Sequence, residues 1–128
     1  MRSLTYYLTV ATLLTHELDA VKHSEWELLY VLRDLSTATA YTAFVLLHVP
    51  LIALILWLSH HRNATLQSAF RLLFAVFAIA HALIHLGLEG TESYPFEGWL
   101  ADSLIFGAAA FGAAYCALFL VARLRRTD

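Results

Sequence analysis

The chain has 128 residues, 60% of them hydrophobic and 14% charged, with a mean hydropathy of +0.67 and a formal net charge of -2. A soluble domain is about 45–50% apolar and about 25% charged, so the excess belongs in lipid, and an ordinary cytosolic domain or a disordered tail is excluded. Lys+Arg 8 against Asp+Glu 10 leaves no basic surface for nucleic acid, and the lone Cys116 excludes a disulfide framework and any CxxC metal or redox pair.

A membrane-spanning helix takes about 20 residues, so one transmembrane domain over 1–128 is expected, with no room for a folded soluble part. The first apolar segment, Leu4–Ala20, is just long enough to span. It ends in His16-Glu17-Leu18-Asp19-Ala20 rather than the small-x-small pattern of a signal-peptidase site, so it reads as retained. Val21–Leu35 comes next. Val21, Trp26, Leu29, Tyr30 and Leu32 roughly mark one helical face, and Lys22, Glu25, Glu27, Arg33 and Asp34 carry charge. That pattern predicts an interfacial amphipathic helix anchored by Trp26 and Tyr30.

The second span is expected over Thr37–Ser59, with His48 near mid-depth just before Val49-Pro50. Pro50 frees a backbone carbonyl one turn back, so His48 is read either as a cofactor ligand or as the polar partner of a kink. The polar link after this span contains His60, His61 and Arg62, read as solvated, and the sequon Asn63-Ala64-Thr65, discounted because the topology places it inside. The third span is expected over Leu66–Leu88. The acidic, Gly/Pro-broken link 89–99 leads to the fourth, Leu100–Leu124. Small residues recur four apart on more than one face of its 107–114 stretch, which lets helices approach closely in lipid. This stripe is expected to pack within the bundle or to hold a second copy or a larger membrane complex.

The resulting fold expectation is all-α: an integral-membrane four-helix bundle with an extra interfacial amphipathic helix between spans one and two. With four spans, one side carries Arg2, Arg62, Arg71, Arg123, Arg125 and Arg126, and the other only Lys22 and Arg33. The positive-inside rule then places both termini in the cytoplasm of a bacterial inner membrane.

Ionisable residues inside spans are costly and are functional candidates by default. His81 and His85 stand at i, i+4 and project from one helix face, as when a helix supplies two ligands to a metal. Glu89 continues that face. His16, Asp19 and His23 share a face if the first helix runs on past Ala20, and Asp102 opens the fourth span at the same depth. Imidazoles with carboxylates and no thiolate suit zinc or non-haem iron in an open site better than calcium or copper(I). The expected metal ligands are His16, His81 and His85. Asp19 or Glu89 would complete the metal's shell or act as general base, and His48 is an alternative ligand for the metal or for a haem or chlorin. Glu25, Glu27 and Glu92 are read as surface charges, and each histidine taken singly is equally compatible with interhelical hydrogen bonding.

His16-Glu17-Leu18-Asp19-Ala20, followed by Glu25-Trp26, an isolated His48 and His81-x-x-x-His85, resembles small bacterial integral-membrane proteins related to the HXXEE-motif family. Asp19-Ala20 stand where that motif has Glu-Glu. The resemblance covers the first half of the chain and the third span. It implies a fold of four to five spans and a shared polar site, but no reaction. The histidine pair with membrane-embedded acids is more loosely similar to seven-span zinc amidases of the ceramidase superfamily, which are longer than this chain. The leading expectation is an intramembrane metal-dependent enzyme, hydrolase or oxidase in type, acting on a lipid or other hydrophobic substrate. An accessory subunit of a membrane complex, with or without haem or chlorin, and a proton- or cation-coupled carrier are the alternatives.

Overall fold

A computed structural model describes residues 1–91, 94–96 and 98–125. Glu92, Ser93 and Glu97 of the acidic link, and Arg126 of the basic group, lie outside the described residues, as do Thr127 and Asp128. The described chain is helical. Helix α1 is Arg2–Lys22, α2 is Thr37–Ser59, α3 is Ala64–Leu88 and α4 is Trp99–Leu124, with a short 3-10 turn at Glu25–Glu27.

Three of the helices, α2, α3 and α4, are long and apolar enough to cross a membrane. The expected fourth span is therefore a correction. Helix α1 has the length, but Arg2, Glu17, Asp19 and Lys22 all fall within it, and four formal charges in 21 residues dilute its apolar character below that of a lipid-facing span. Its core face is narrow: Tyr6, Thr9, Leu13, His16 and Ala20 are buried at three- and four-residue spacing, while Leu4 and Leu18 are exposed. An even number of spans is the premise for placing both termini on one side, and with three that premise falls.

The interfacial helix is the second correction. Helix α1 runs two residues past Ala20, is capped by His23 and is broken at Ser24, whose φ of 56° is left-handed. No helix can continue through that residue. Beyond it the chain makes the 3-10 turn and then a series of turns to Ser36. Trp26 and Leu32 are buried with Ala40 and Phe44 of α2, whereas Tyr30 is 76% exposed.

Helix α4 packs against both α1 and α3. Its buried line, Ala101, Ile105, Ala108, Gly112 and Tyr115, is mostly small. At Gly112 a Cβ would lie 2.7 Å from the Ala75 carbonyl oxygen of α3, so this residue sets how close the two helices come. The small-residue stripe is thus used inside the chain. Helix α2 rests mainly on α3 and on the 3-10 turn. Its outward residues, among them Leu46, Val49, Leu54 and Trp57, are exposed, as suits a helix apolar on all sides whose solvent is lipid.

Polar contacts fix the link between α2 and α3. At the C-terminus of α2 the Ser59 carbonyl, free of any partner within the helix, accepts from Arg71 Nη2 at 2.7 Å, Arg71 Nε at 3.0 Å and Gln67 Nε2 at 3.1 Å. The Arg71 guanidinium also sits 5.0 Å from the centre of the Tyr6 ring, and Tyr6 and Ser59 share a hydroxyl–hydroxyl hydrogen bond. Asn63 has a structural role too: its side-chain oxygen accepts from the Thr65 and Leu66 amides and caps α3.

Candidate metal centre

At the other end of the molecule, ligand-capable atoms of His16, Glu25, His81 and His85 all lie within 4.8 Å of one another. Three separate pieces of chain deliver them. His16 occupies a core position on α1 and is fully buried. His81 and His85 project from one face of α3, with ring centres 4.5 Å apart. Their ring centres lie 5.1 and 5.2 Å from that of His16. Glu25 arrives because the chain reverses at Ser24. One carboxylate oxygen comes to 3.7 Å from His16 Nε2 and the other to 3.7 Å from His85 Nε2.

Those separations are too long for hydrogen bonds, and this leaves buried polar atoms unsatisfied. Both ring nitrogens of His16, Nε2 of His81 and Oε2 of Glu25 have no hydrogen-bond partner; nor has Oδ2 of Asp19, one turn along α1 from His16. Burial of a polar group without a partner costs about 1–3 kcal/mol, and here several cluster at one point. The edge of a tetrahedron of nitrogen and oxygen ligands about zinc, with bonds of about 2.0–2.2 Å, is about 3.4 Å. The Glu25–histidine pairs are already near that value.

Electrostatics match the geometry. Burial pushes the Glu25 carboxyl up, but the imidazoles of His85, His16 and His81 outweigh it and hold the carboxyl below its ordinary 4.5. Burial holds the His16 imidazole below its ordinary 6.5, an effect only partly opposed by Glu25. Near neutral pH these two residues supply a carboxylate and a neutral imidazole, the forms that bind metal.

Two aromatic rings from the link before α4 close the site, one polar and one apolar. The Tyr94 hydroxyl lies 3.1 Å from His85 Nδ1, the nitrogen turned away from Glu25. Phe96 places its ring centre 5.3 Å from that of His16 and 5.0 Å from that of His85, and is itself buried. Burial, with Asp102, Glu89 and Glu25 nearby, pushes the Tyr94 phenol up to about 12, so it stays a neutral hydroxyl whose oxygen can accept from His85 Nδ1–H and leave Nε2 free of its proton.

The remaining candidates lie elsewhere. Asp19 is buried, but it faces His23, whose Nδ1 is 3.3 Å from its Oδ2 and 2.9 Å from its backbone carbonyl. Glu89 is exposed at the C-terminal cap of α3 and is not among the clustered groups. His48 Nδ1 donates to the Phe44 carbonyl at 2.7 Å, and its Nε2 lies 3.0 Å from Glu17. This forms a bridge between α2 and α1 outside the cluster. Burial and Glu25 push the Glu17 carboxyl up, against the bond from His48. Cys116 is a half-buried free thiol in α4.

Glu25 is the site residue that the pattern of the sequence hides, because helical spacing puts it on a solvated face. A signal for it exists: Ser24-Glu25-Trp26-Glu27 has the Ser-x-x-Glu form that opens a new helical turn, which implies a break just after His23.

Against protein-family models, residues 2–122 match the one described as a family of unknown function, DUF6713. No curated protein and no solved structure matches the chain.

Proposed function

We propose that this chain, which belongs to the DUF6713 family, is a metal-dependent enzyme of the membrane, with a single divalent cation held by His16, Glu25, His81 and His85. The observation that carries this reading is the convergence of four ligand-capable side chains, three of them buried, with unsatisfied atoms directed at one point. A structural hydrogen-bond network would have closed those contacts. Three imidazoles and a carboxylate suit zinc, iron(II) or manganese(II). Such a cation supplies a Lewis acid that polarises an ester or amide carbonyl and lowers the pKa of water to about 7.

The chain's own residues account for the rest. His81 is the one member of the four that is only half-buried, so access runs past its side of α3, where Phe77 and Ile84, one turn away in either direction, are exposed. A hydrophobic substrate reaching the site by that route fits the exposed apolar walls. Phe96 excludes water from above, and Tyr94 holds the His85 ring in one orientation. Asp19, one turn along α1 from His16 and paired with His23 at 3.3 Å, is the carboxylate next in line outside the cluster. This is the sort of site the resemblance to HXXEE-motif proteins implies, with Glu25 in place of the missing second acid. Haem or chlorin on His48 has less support, since both ring nitrogens are engaged by Phe44 and Glu17.

The test is metal content per chain by inductively coupled plasma mass spectrometry on gently solubilised protein. We expect about one zinc, iron or manganese per chain, most of it lost in Glu25→Gln and in the His81→Ala/His85→Ala variant, with helical content by circular dichroism unchanged. Metal-free protein that also fails to take up any of the three ions on titration would overturn the reading.

A further inference from the structure

At the end of the molecule remote from the metal centre, the helix termini enclose a cleft of about 610 Å³ whose walls include Arg2, Thr65, Ser68, Leu72, Phe119 and Arg123. A second groove of about 500 Å³ lies alongside, sharing Arg2 and lined by Leu118, Val121 and Arg125. Both volumes are in the range of small-molecule sites, about 300–1,000 Å³. Because the first cleft lies between the start of α3 and the end of α4, two helices long and apolar enough to span, it sits at the depth of lipid headgroups.

The charge at this end is one-sided. Arg2, Arg62, Arg71, Arg123 and Arg125 are all here, and among the described residues every acidic side chain, from Glu17 to Asp102, belongs to the other half of the molecule or to the links there. Arg71 is committed to the Ser59 carbonyl. Arg2 and Arg123 have no carboxylate partner among the described residues; the Arg2 guanidinium only rests 5.9 Å from the Phe119 ring centre. The first backbone amides of α3 are already taken by the Asn63 side chain. Anion recognition therefore falls to the two guanidiniums and the hydroxyls of Thr65 and Ser68.

We infer that this paired cleft is a binding site for an anionic phospholipid. The phosphate is held between Arg2 and Arg123, and the acyl chains lie in the two grooves that diverge from Arg2. Three observations converge on that occupant. Arginine matches phosphate oxygens with two parallel donors. The linings include Leu72 and Phe119 in one groove and Leu118 and Val121 in the other, and the adjacent Leu73 and Leu120 are exposed apolar side chains. Two grooves meeting at one cation have the shape of a single headgroup with two tails. A free phosphate ion would use the arginines and leave both grooves idle. The site shares no residue with the metal centre and stands or falls without it.

Native mass spectrometry of the detergent-solubilised full chain, titrated with phosphatidylglycerol, phosphatidylcholine or inorganic phosphate, tests the assignment. Phosphatidylglycerol is expected to bind at least tenfold more tightly than phosphatidylcholine. The Arg2→Gln/Arg123→Gln variant should lose about tenfold of that affinity. Arg2→Lys/Arg123→Lys should recover part of it, and Arg33→Gln, at the opposite end, should lose none. An unchanged phosphatidylglycerol affinity in the double glutamine variant, with helicity intact, overturns the site. So does arginine-dependent binding of inorganic phosphate that equals lipid binding, which would make it a site for a soluble anion.

Discussion

Tyr94 is placed so that a single hydroxyl would govern the proposed ligand His85. Its oxygen is 3.1 Å from His85 Nδ1, so His85 presents Nε2 to the cluster in a fixed orientation. Hydrogen-bond partners of ligating histidines are worth about 10–100-fold in metal affinity. Tyr94→Phe removes the hydroxyl and keeps the ring, and a drop of that size is expected in competition with a chromophoric chelator, with no change in melting of the metal-free protein. An unchanged affinity would reduce Tyr94 to a packing residue. His16 predicts a pH response. Its folded pKa lies below the ordinary 6.5, so as pH falls the unfolded chain takes up this proton first. Metal-free protein should therefore lose stability from about pH 6.5 downward, by at most about 1.4 kcal/mol per pH unit from this residue. The Glu25 carboxyl is also held low, but as an acid it stabilises in its charged form: its contribution, present above the ordinary 4.5, is lost as pH falls through its lower folded value. Thermal unfolding of chelator-treated protein across pH 4–8 checks both, and a flat profile between pH 5 and 7 would contradict the buried neutral His16. These residues were unequally legible in the sequence. The i, i+4 spacing of His81 and His85 predicts their shared face without any structure. Glu25 is different, because its role depends on one left-handed residue, Ser24, which is neither glycine nor asparagine, the types that usually mark such a break.

At the scale of helices, apolar composition is a robust guide and charge content is the qualifier. The expected bounds of α2 coincide with the helix, Thr37–Ser59, because Ser36 caps its start and the apolar run ends at its last residue. Helix α1 is recognisable as a helix yet not as something other than a span, since a long stretch of Leu, Val and Ala precedes its charged end. The 21–35 segment misleads for a related reason: its amphipathic spacing is real, but tertiary burial of Trp26 against Phe44, with ring centres 5.7 Å apart, overrides helix formation. The α3–α4 crossing yields its own prediction. A methyl group at position 112 would meet the Ala75 backbone at 2.7 Å, and backbone cannot rotate away. Gly112→Ala is expected to destabilise by about 1–3 kcal/mol through forced separation of the helices, seen as a lowered melting temperature in detergent. Gly87→Ala, with open space around it, should gain slightly from its helix propensity. Equal effects at the two positions would mean that α3 and α4 can part at Gly112 without cost.

Across the whole molecule, the arrangement sorts chemistry by depth. Among the described residues, the buried imidazoles and the carboxylates gather at one end, all the arginines but Arg33 at the other, and a middle layer of Leu13, Phe74, Ala75, Ala78 and Ala108 separates them. The proposed metal centre would join residue 16 of α1 to residues 81 and 85 of α3 and to the turn between α1 and α2, so no fragment lacking α3 contains the cluster. An ion seated there ties together points about seventy residues apart along the chain, much as a cross-link would, and it raises resistance to unfolding by an amount set by its concentration over its dissociation constant, about 4 kcal/mol at a thousandfold excess. Occupancy would then serve as a seal on correct assembly. Chains whose third helix has failed to dock would lack His81 and His85 at the site and could not hold the ion in this way.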